Sequence, residues 1–316
     1  MTPAQFTEKA RRRAREAAAR TGQWAVERGV LPGHTDYRRF VVVCTMRTGS
    51  TMLGSYLESH PNARMFFEVF HHFPDSVAFG RPGYAARSNA PAVVADRNTD
   101  PVGFLERHVF TRQPRSVQAV GFKLLYNQAR AAPQWWDAPE YDRWWTHLDR
   151  DKAPDWGSAR SDLWAALAAD RDLAVVHLTR ENPLASLVSA ELAKETGRWG
   201  VGATGGAGRE TLDTTVRLTP EHCLQDFDAG LRQQREADAH FQGHPVLHVT
   251  YEELVRDPKP ALARIQTFLG LPVVALETVT RKQNPRSLRN SIENYDDVAA
   301  VLRGTPWERC LDERDP

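Results

Sequence analysis

Arg47, Gly49, Ser50 and Thr51 fall within one short segment, CTMRTGSTML, directly after an apolar, β-branched run. Their chemistry is that of an anion-binding turn. A strand that ends in such a loop and passes at once into an amphipathic helix aims successive backbone N–H groups, and the positive end of the helix dipole, at one spot. Gly49 supplies backbone freedom, Ser50 and Thr51 supply hydroxyl donors beside Thr48, and Arg47 adds a permanent charge on a planar fork. The G-K-[ST] of a nucleoside-triphosphate loop is absent. The same segment also reads as an ordinary strand-to-helix turn with a Ser or Thr cap, so a second anion-binding element is needed to decide.

TRENPLASLVS, residues 179–189, provides a candidate. Arg180 closes an apolar run, Asn182 stands where a helix cap belongs, and Pro183 suits the first helical position, which puts Ser189 on the following helix. An arginine at a strand's carboxyl end and a serine on the next helix could hold one phosphate together. Singly, each reads as a surface ion-pair residue and a helix-face hydroxyl.

Two further groups could move protons or stabilise charge. Glu68 sits among aromatic residues in RMFFEVFHHF, at the expected carboxyl end of a second strand, where burial would raise its pKa towards useful basicity. The competing reading is an edge-strand glutamate paired with an arginine. His71 and His72 are rival bases, with an ordinary pKa of about 6.5. Lys123 stands alone among apolar residues in AVGFKLLY, placed either to reach a reacting group across the sheet edge or to extend its head to water.

Five short apolar runs, at residues 40–44, 64–70, 116–126, 172–180 and 244–254, must position these groups, and they alternate with helical or irregular sequence. That alternation predicts an open, doubly wound α/β domain with a central parallel sheet and a P-loop-like strand-loop-helix, with ligands beyond the carboxyl ends of the strands. Residues 1–37 read as a helical extension, carrying a basic cluster from Arg11 to Arg15, and 38–316 as the α/β domain. Two insertions near 131–165 and 197–212 are expected to cover substrate, or else to be surface packing and a flexible loop. The first contains most of the tryptophans and the second is glycine-dense.

Composition limits the function classes. In 316 residues, 41 Lys and Arg balance 40 Asp and Glu, so no overall field favours nucleic acid and any anion site must be local. Cys44, Cys223 and Cys310 are odd in number and far apart, which argues against a disulfide framework and a structural zinc site. The histidines include one adjacent pair, His71-His72, and no H-E-x-x-H, so no metal is expected from the sequence. Without a signal-peptide core or an apolar run approaching about 18 residues, the expectation is a soluble cytoplasmic protein with no integral membrane segment.

MRTGSTMLGSYLESHPN, TRENPLASLVS, VTYEELVRDPKPALARIQTFLGLP and RKQNPRSLRNSIENYDDV occur in this order. Together they resemble the bacterial carbohydrate sulfotransferases, especially the trehalose and Nod-factor branch, over residues 38–300. The resemblance implies 3′-phosphoadenosine 5′-phosphosulfate (PAPS) as donor, leaving 3′-phosphoadenosine 5′-phosphate (PAP). It implies that Arg47, Thr48, Gly49, Ser50 and Thr51 hold the 5′-phosphosulfate, with Arg47 where many cytosolic relatives have lysine. Arg180 and Ser189 would hold the 3′-phosphate, and Arg281, Lys282 and Gln283 would close over the nucleotide, although the family's RKGxxGDW element is absent.

On this reading Glu68 is the general base, and Arg47 with Lys123 stabilises the leaving phosphate in a metal-independent in-line transfer. The acceptor would be a hydroxyl of a carbohydrate, glycolipid or glycosylated natural product, with Trp135, Trp136, Trp144 and Trp145 available to stack on a sugar face. A homodimer is a further expectation. Two alternatives remain: a P-loop small-molecule kinase, which would need the missing lysine and an acidic metal ligand, and a non-catalytic nucleotide-binding module, which would not need Glu68.

Overall fold

The five apolar runs become one parallel sheet. In the computed structural model, which describes residues 17, 21–71, 75–80, 85–128, 162–197, 214–280 and 286–312, β1 (Gly33–His34) pairs antiparallel with β4 (Gln113–Pro114). The main sheet contains β2 (Arg38–Cys44), β3 (Ala63–Phe66), β5 (Ala119–Leu125), β6 (Ala174–Thr179) and β7 (Val246–Thr250). Their order is β3-β5-β2-β6-β7 with every pairing parallel, as the near-continuous apolar runs predict. After β2 the chain runs out to the edge strand β3 and returns to β5 beside β2, then crosses to the other side of β2 to build β6 and, outward from it, β7. The end of β2 is therefore the switch point of the sheet, where a doubly wound fold opens its ligand crevice.

Alternation along the strands separates two cores. Phe40, Val42 and Leu178 face Leu53 and Leu57 of α1 (Ser50–Ser59). Val41, Val43 and Phe122 face the opposite way, towards Trp164 of α2 (Asp162–Ala169) and the cluster that holds Ala237 of α4 (Pro220–His240). Ile265 of α6 (Pro258–Phe268) joins the α1 side. Burying each such Leu, Ile or Phe contributes about 1.5–3 kcal/mol, so the strands are fixed from both faces and their carboxyl ends form a firm platform.

Three local features bear on the site. The second apolar run leaves the sheet early: Phe67 N–H donates to Phe79 O at 3.0 Å and Val69 N–H to Phe67 O at 2.9 Å, so β3 stops at Phe66 and Glu68 lies on a turn beyond it. Asn182 caps α3 (Pro183–Thr196), its side chain accepting from Ala185 N–H at 3.0 Å, with Pro183 at the helix start as expected. The last run splits into β7 and then α5 (Tyr251–Arg256), which a capping box between Thr250 and Glu253 begins. Residues 21–27 are helical, whereas the basic cluster at 11–15 lies outside the described residues. So do most of the two expected covering insertions. Among the described residues no helix is long and apolar enough to cross a membrane.

Candidate active site

The loop after β2 is built by strain that the surrounding structure holds in place. Arg47 has φ 60°, the left-handed region that a non-glycine residue adopts at a cost, and Gly49 follows at φ 79° as the residue that begins α1. Thr48 is buried and its Oγ1 donates to Thr45 O at 2.9 Å, closing the turn from inside. No side chain caps α1, so the segment is not the ordinary Ser- or Thr-capped turn that the sequence also allowed. Its first N–H groups point to the switch point.

Gly49 is required for a second reason. A Cβ built there would stand 2.6 Å from Tyr251 Cδ2, so the aromatic ring that opens α5 packs directly on the loop. Gly49→Ala is expected to combine this overlap with the left-handed penalty of about 1–2 kcal/mol. The measurable result is a lowered thermal midpoint; a variant with the wild-type midpoint would show that the loop relaxes without consequence.

Two distant segments converge on this loop. Arg47 Nε donates to Ser189 Oγ at 2.9 Å, from loop to α3. Arg180, just past β6, donates from Nη1 to Arg47 O at 3.2 Å, and its guanidinium lies 4.3 Å over the Tyr251 ring. Burial first, and then the neighbouring Arg180 charge, holds Arg47 below its usual basicity. Two guanidiniums held together at that cost repel one another, a repulsion that a multiply charged anion would relieve.

A second cluster of charged and polar side chains stands on the other side of the α1 start. Lys123 Nζ is 2.6 Å from Glu68 Oε1 and donates to Thr51 Oγ1 at 3.3 Å. Gln128 Nε2 donates to Glu68 Oε2 at 2.8 Å, while Gln128 Oε1 accepts from Leu125 N–H at 3.1 Å. The Lys123 side chain is 3% exposed, so it does not extend its head to water, and Glu68 is paired with this lysine where the sequence also allowed an arginine.

One expectation is corrected here. Burial does push the Glu68 carboxyl upward, but the Lys123 ammonium, its hydrogen bond, His71 and Gln128 together outweigh it and hold the group below the ordinary glutamate value. Glu68 is thus an ionised acceptor, not a carboxyl poised near neutrality. His71 is held below the usual histidine value, chiefly by burial.

Thus Arg47, Thr48, Gly49, Ser50, Thr51, Arg180 and Ser189 meet around one helix start, and Lys123 ties Thr51 to Glu68. His72, Arg281, Lys282 and Gln283 lie outside the described residues, as do Trp135, Trp136, Trp144 and Trp145. Of the tryptophan-rich stretch, Trp164 is described: it is buried, and its indole N–H donates to Gln128 O at 2.9 Å. That contact joins the stretch's end to the residue that holds Glu68.

Sequence reasoning missed Tyr251, Glu252 and Gln128. Tyr251 stacks under Arg180 and packs on Gly49. Glu252 Oε2 accepts from Glu181 N–H at 3.1 Å and so fixes the turn that presents Arg180. Burial raises the Glu252 carboxyl. The available signal was an aromatic and an acid immediately after an apolar run, a position at the carboxyl edge of the sheet. Sequence spacing also gave no hint of His177, Asp238 and His248, which the fold gathers on the sheet face opposite α1.

Comparison with known proteins places this geometry in context. A sulfotransferase family model matches residues 39–275. Nodulation protein H of Rhizobium meliloti is 26% identical over 180 residues, covering 56% of this chain and 72% of the relative. Nodulation protein H of Rhizobium tropici is 24% identical over 278 residues, covering 86% of this chain and 92% of the relative. The crystal structure of a sulfotransferase from Alicyclobacillus acidocaldarius aligns with a TM-score of 0.41 at 17% identity, covering 88% of this chain and 97% of that one.

Proposed function

Because the chain belongs to the sulfotransferase family, we propose that it moves a sulfuryl group from PAPS to a hydroxyl of a carbohydrate, glycolipid or glycosylated natural product. The observation that carries this reading is the convergence of Arg47, Arg180 and Ser189 at the start of α1. PAPS supplies an activated sulfuryl group and, after transfer, a phosphate leaving group. Its two separated anionic ends suit a site in which one helix start is flanked by a guanidinium pair on one side and an ammonium on the other.

The chain's own residues then divide the work. Arg180 and Ser189 hold the 3′-phosphate, and Arg47, already bonded to Ser189, adds its charge between the two anionic ends. The backbone N–H groups and hydroxyls of residues 48–51 cradle the 5′ end. Lys123, hydrogen-bonded to Thr51, neutralises charge that develops on the leaving phosphate. Glu68 accepts the proton of the attacking hydroxyl, oriented by Gln128. When Lys123 turns from Glu68 towards the leaving group, the carboxylate loses its strongest stabilising partner and becomes more basic, which couples proton removal to bond cleavage. Arg281, Lys282 and Gln283 complete the nucleotide site on this reading.

The test is direct transfer. Purified protein is mixed with PAPS and a panel of sugar, glycolipid and phenol hydroxyls, and products are read by mass spectrometry for gain of one sulfuryl group. Modification of a sugar-bearing acceptor with release of PAP is expected. Transfer to phenols alone would overturn the acceptor class, and tight ATP-dependent phosphorylation in its place would overturn the donor.

A further inference from the structure

A second cluster lies on the sheet face opposite the phosphate loop. His177 of β6 and His248 of β7 are direct register partners in adjacent parallel strands, so their side chains leave the same face side by side. Their rings are 5.3 Å apart between centroids. Asp238 of α4 reaches down to both: its Oδ1 is 2.7 Å from His177 Nδ1 and 3.8 Å from His248 Nε2. One ligand atom from each residue lies within 4.8 Å of the other two.

The three residues differ in burial in a way that suits a ligand set. His177 is 2% exposed and anchored, whereas the side chains of Asp238 and His248 are 47% and 61% exposed and open to water. The far nitrogen of His177, Nε2, is hydrogen-bonded to Tyr126 Oη, which is itself buried. A histidine that ligates through one nitrogen while the other is held by an oxygen is the usual outer arrangement of a protein metal site. Two imidazoles and a carboxylate, with the remaining positions open to solvent, suit a borderline divalent ion such as Zn²⁺, Co²⁺ or Ni²⁺ better than Mg²⁺ or Ca²⁺.

We propose that His177, Asp238 and His248 form a divalent transition-metal site that clasps α4 to the β6–β7 edge of the sheet. His177 Nδ1–H now donates to Asp238. On metal binding the neutral ring carries its one proton on Nε2 in place of Nδ1 and donates that N–H to Tyr126 Oη, whose own hydroxyl hydrogen rotates away from the ring; Nδ1, an Asp238 oxygen and His248 Nε2 become ligands with water in the open positions. The site is separate from the transfer chemistry, because α1 and the phosphate loop pack on the other face. Its effect is on the attachment of α4, not on the reacting groups.

Titration of the purified full chain with Co²⁺, followed by visible absorption and by competition with Zn²⁺, tests this. The expected result is one saturating site whose Co²⁺ signal Zn²⁺ displaces, weakened about tenfold or more in His248→Ala and in Asp238→Asn. Tyr126→Phe, which removes an outer partner, should also weaken it, by roughly 10–100-fold. Zn²⁺ should raise the thermal midpoint of the wild type and not that of His248→Ala. His248 and Asp238 are solvent-exposed, so both variants should fold, and a midpoint in the absence of metal checks this. Equal Co²⁺ and Zn²⁺ affinity in the wild type and both variants would overturn the site, as would the lack of saturable binding to the wild type.

Discussion

Glu68→Gln is expected to lower the turnover of sulfuryl transfer by about 10²–10⁴-fold, the usual contribution of a positioned general base. The amide keeps the size and one acceptor oxygen of the side chain but cannot take the proton of the attacking hydroxyl. It also leaves Lys123, nearly buried, without its ion-pair partner, which by itself is destabilising. Binding of PAP and the thermal midpoint therefore have to be measured beside the rate. A variant that still binds PAP within a few-fold of wild type yet fails to transfer has lost chemistry and not structure. A variant that transfers at the wild-type rate would pass the role of base to His71 or His72.

The pH dependence separates these candidates without a mutation. As the proposed base Glu68 would act as the carboxylate, and its pKa in the folded protein is depressed, so activity should be lost only as pH falls through a value below that of ordinary glutamate. The profile of kcat/KM, which reports the free enzyme, should accordingly be flat from neutrality down to about pH 5. A histidine base with an ordinary pKa would also be active when neutral, but its acid limb would fall near about pH 6.5. In the profile of kcat, which reports the complex, release of Lys123 towards the leaving group should move the Glu68 limb upward. An acid limb at the same pH in both profiles would show that Lys123 stays with Glu68 throughout.

Much of this frame was legible from local pattern. β2, β5 and β6 are near-continuous apolar runs, interrupted by Lys123 in β5 and His177 in β6, that a two-sided sheet buries, and Asn182-Pro183 marks a helix start from two residues alone. The strand-to-helix loop after β2 was legible because Gly49 marks a position that takes a left-handed backbone, whereas the left-handed backbone at Arg47 was not. Glu68 was found as a candidate, yet its ionisation was misjudged. Its nearest partners, Lys123 and Gln128, lie 55 and 60 positions further along, and sequence cannot show that parallel pairing of β3 with β5 brings the lysine to it. Tyr251 and Glu252 were hidden for the same reason. They look like the routine start of a helix until the sheet order sets β7 beside β6 and so places that start under Arg180.

On the proposed reading Arg180 is the residue that holds the 3′-phosphate, and Arg180→Ala is then expected to weaken PAP binding by about 2–5 kcal/mol, roughly 30-fold to several thousand-fold. AMP, which lacks the 3′-phosphate, should bind the variant and the wild type within a few-fold of each other. The contrast matters because Arg180 also supports the loop, through Nη1 to Arg47 O, and rests on Tyr251. If the substitution merely loosened the loop, affinity for the 5′-phosphate would fall too, and AMP and PAP would weaken in parallel. Arg180→Lys adds a further distinction: it keeps the charge but loses the planar fork and much of the stacking on Tyr251, so PAP affinity should fall between wild type and alanine. Calorimetric titration of both nucleotides into the three proteins decides the assignment. Parallel loss of AMP and PAP would make Arg180 a support of the loop, whereas selective loss of PAP requires that its guanidinium meet the phosphate that only PAP carries.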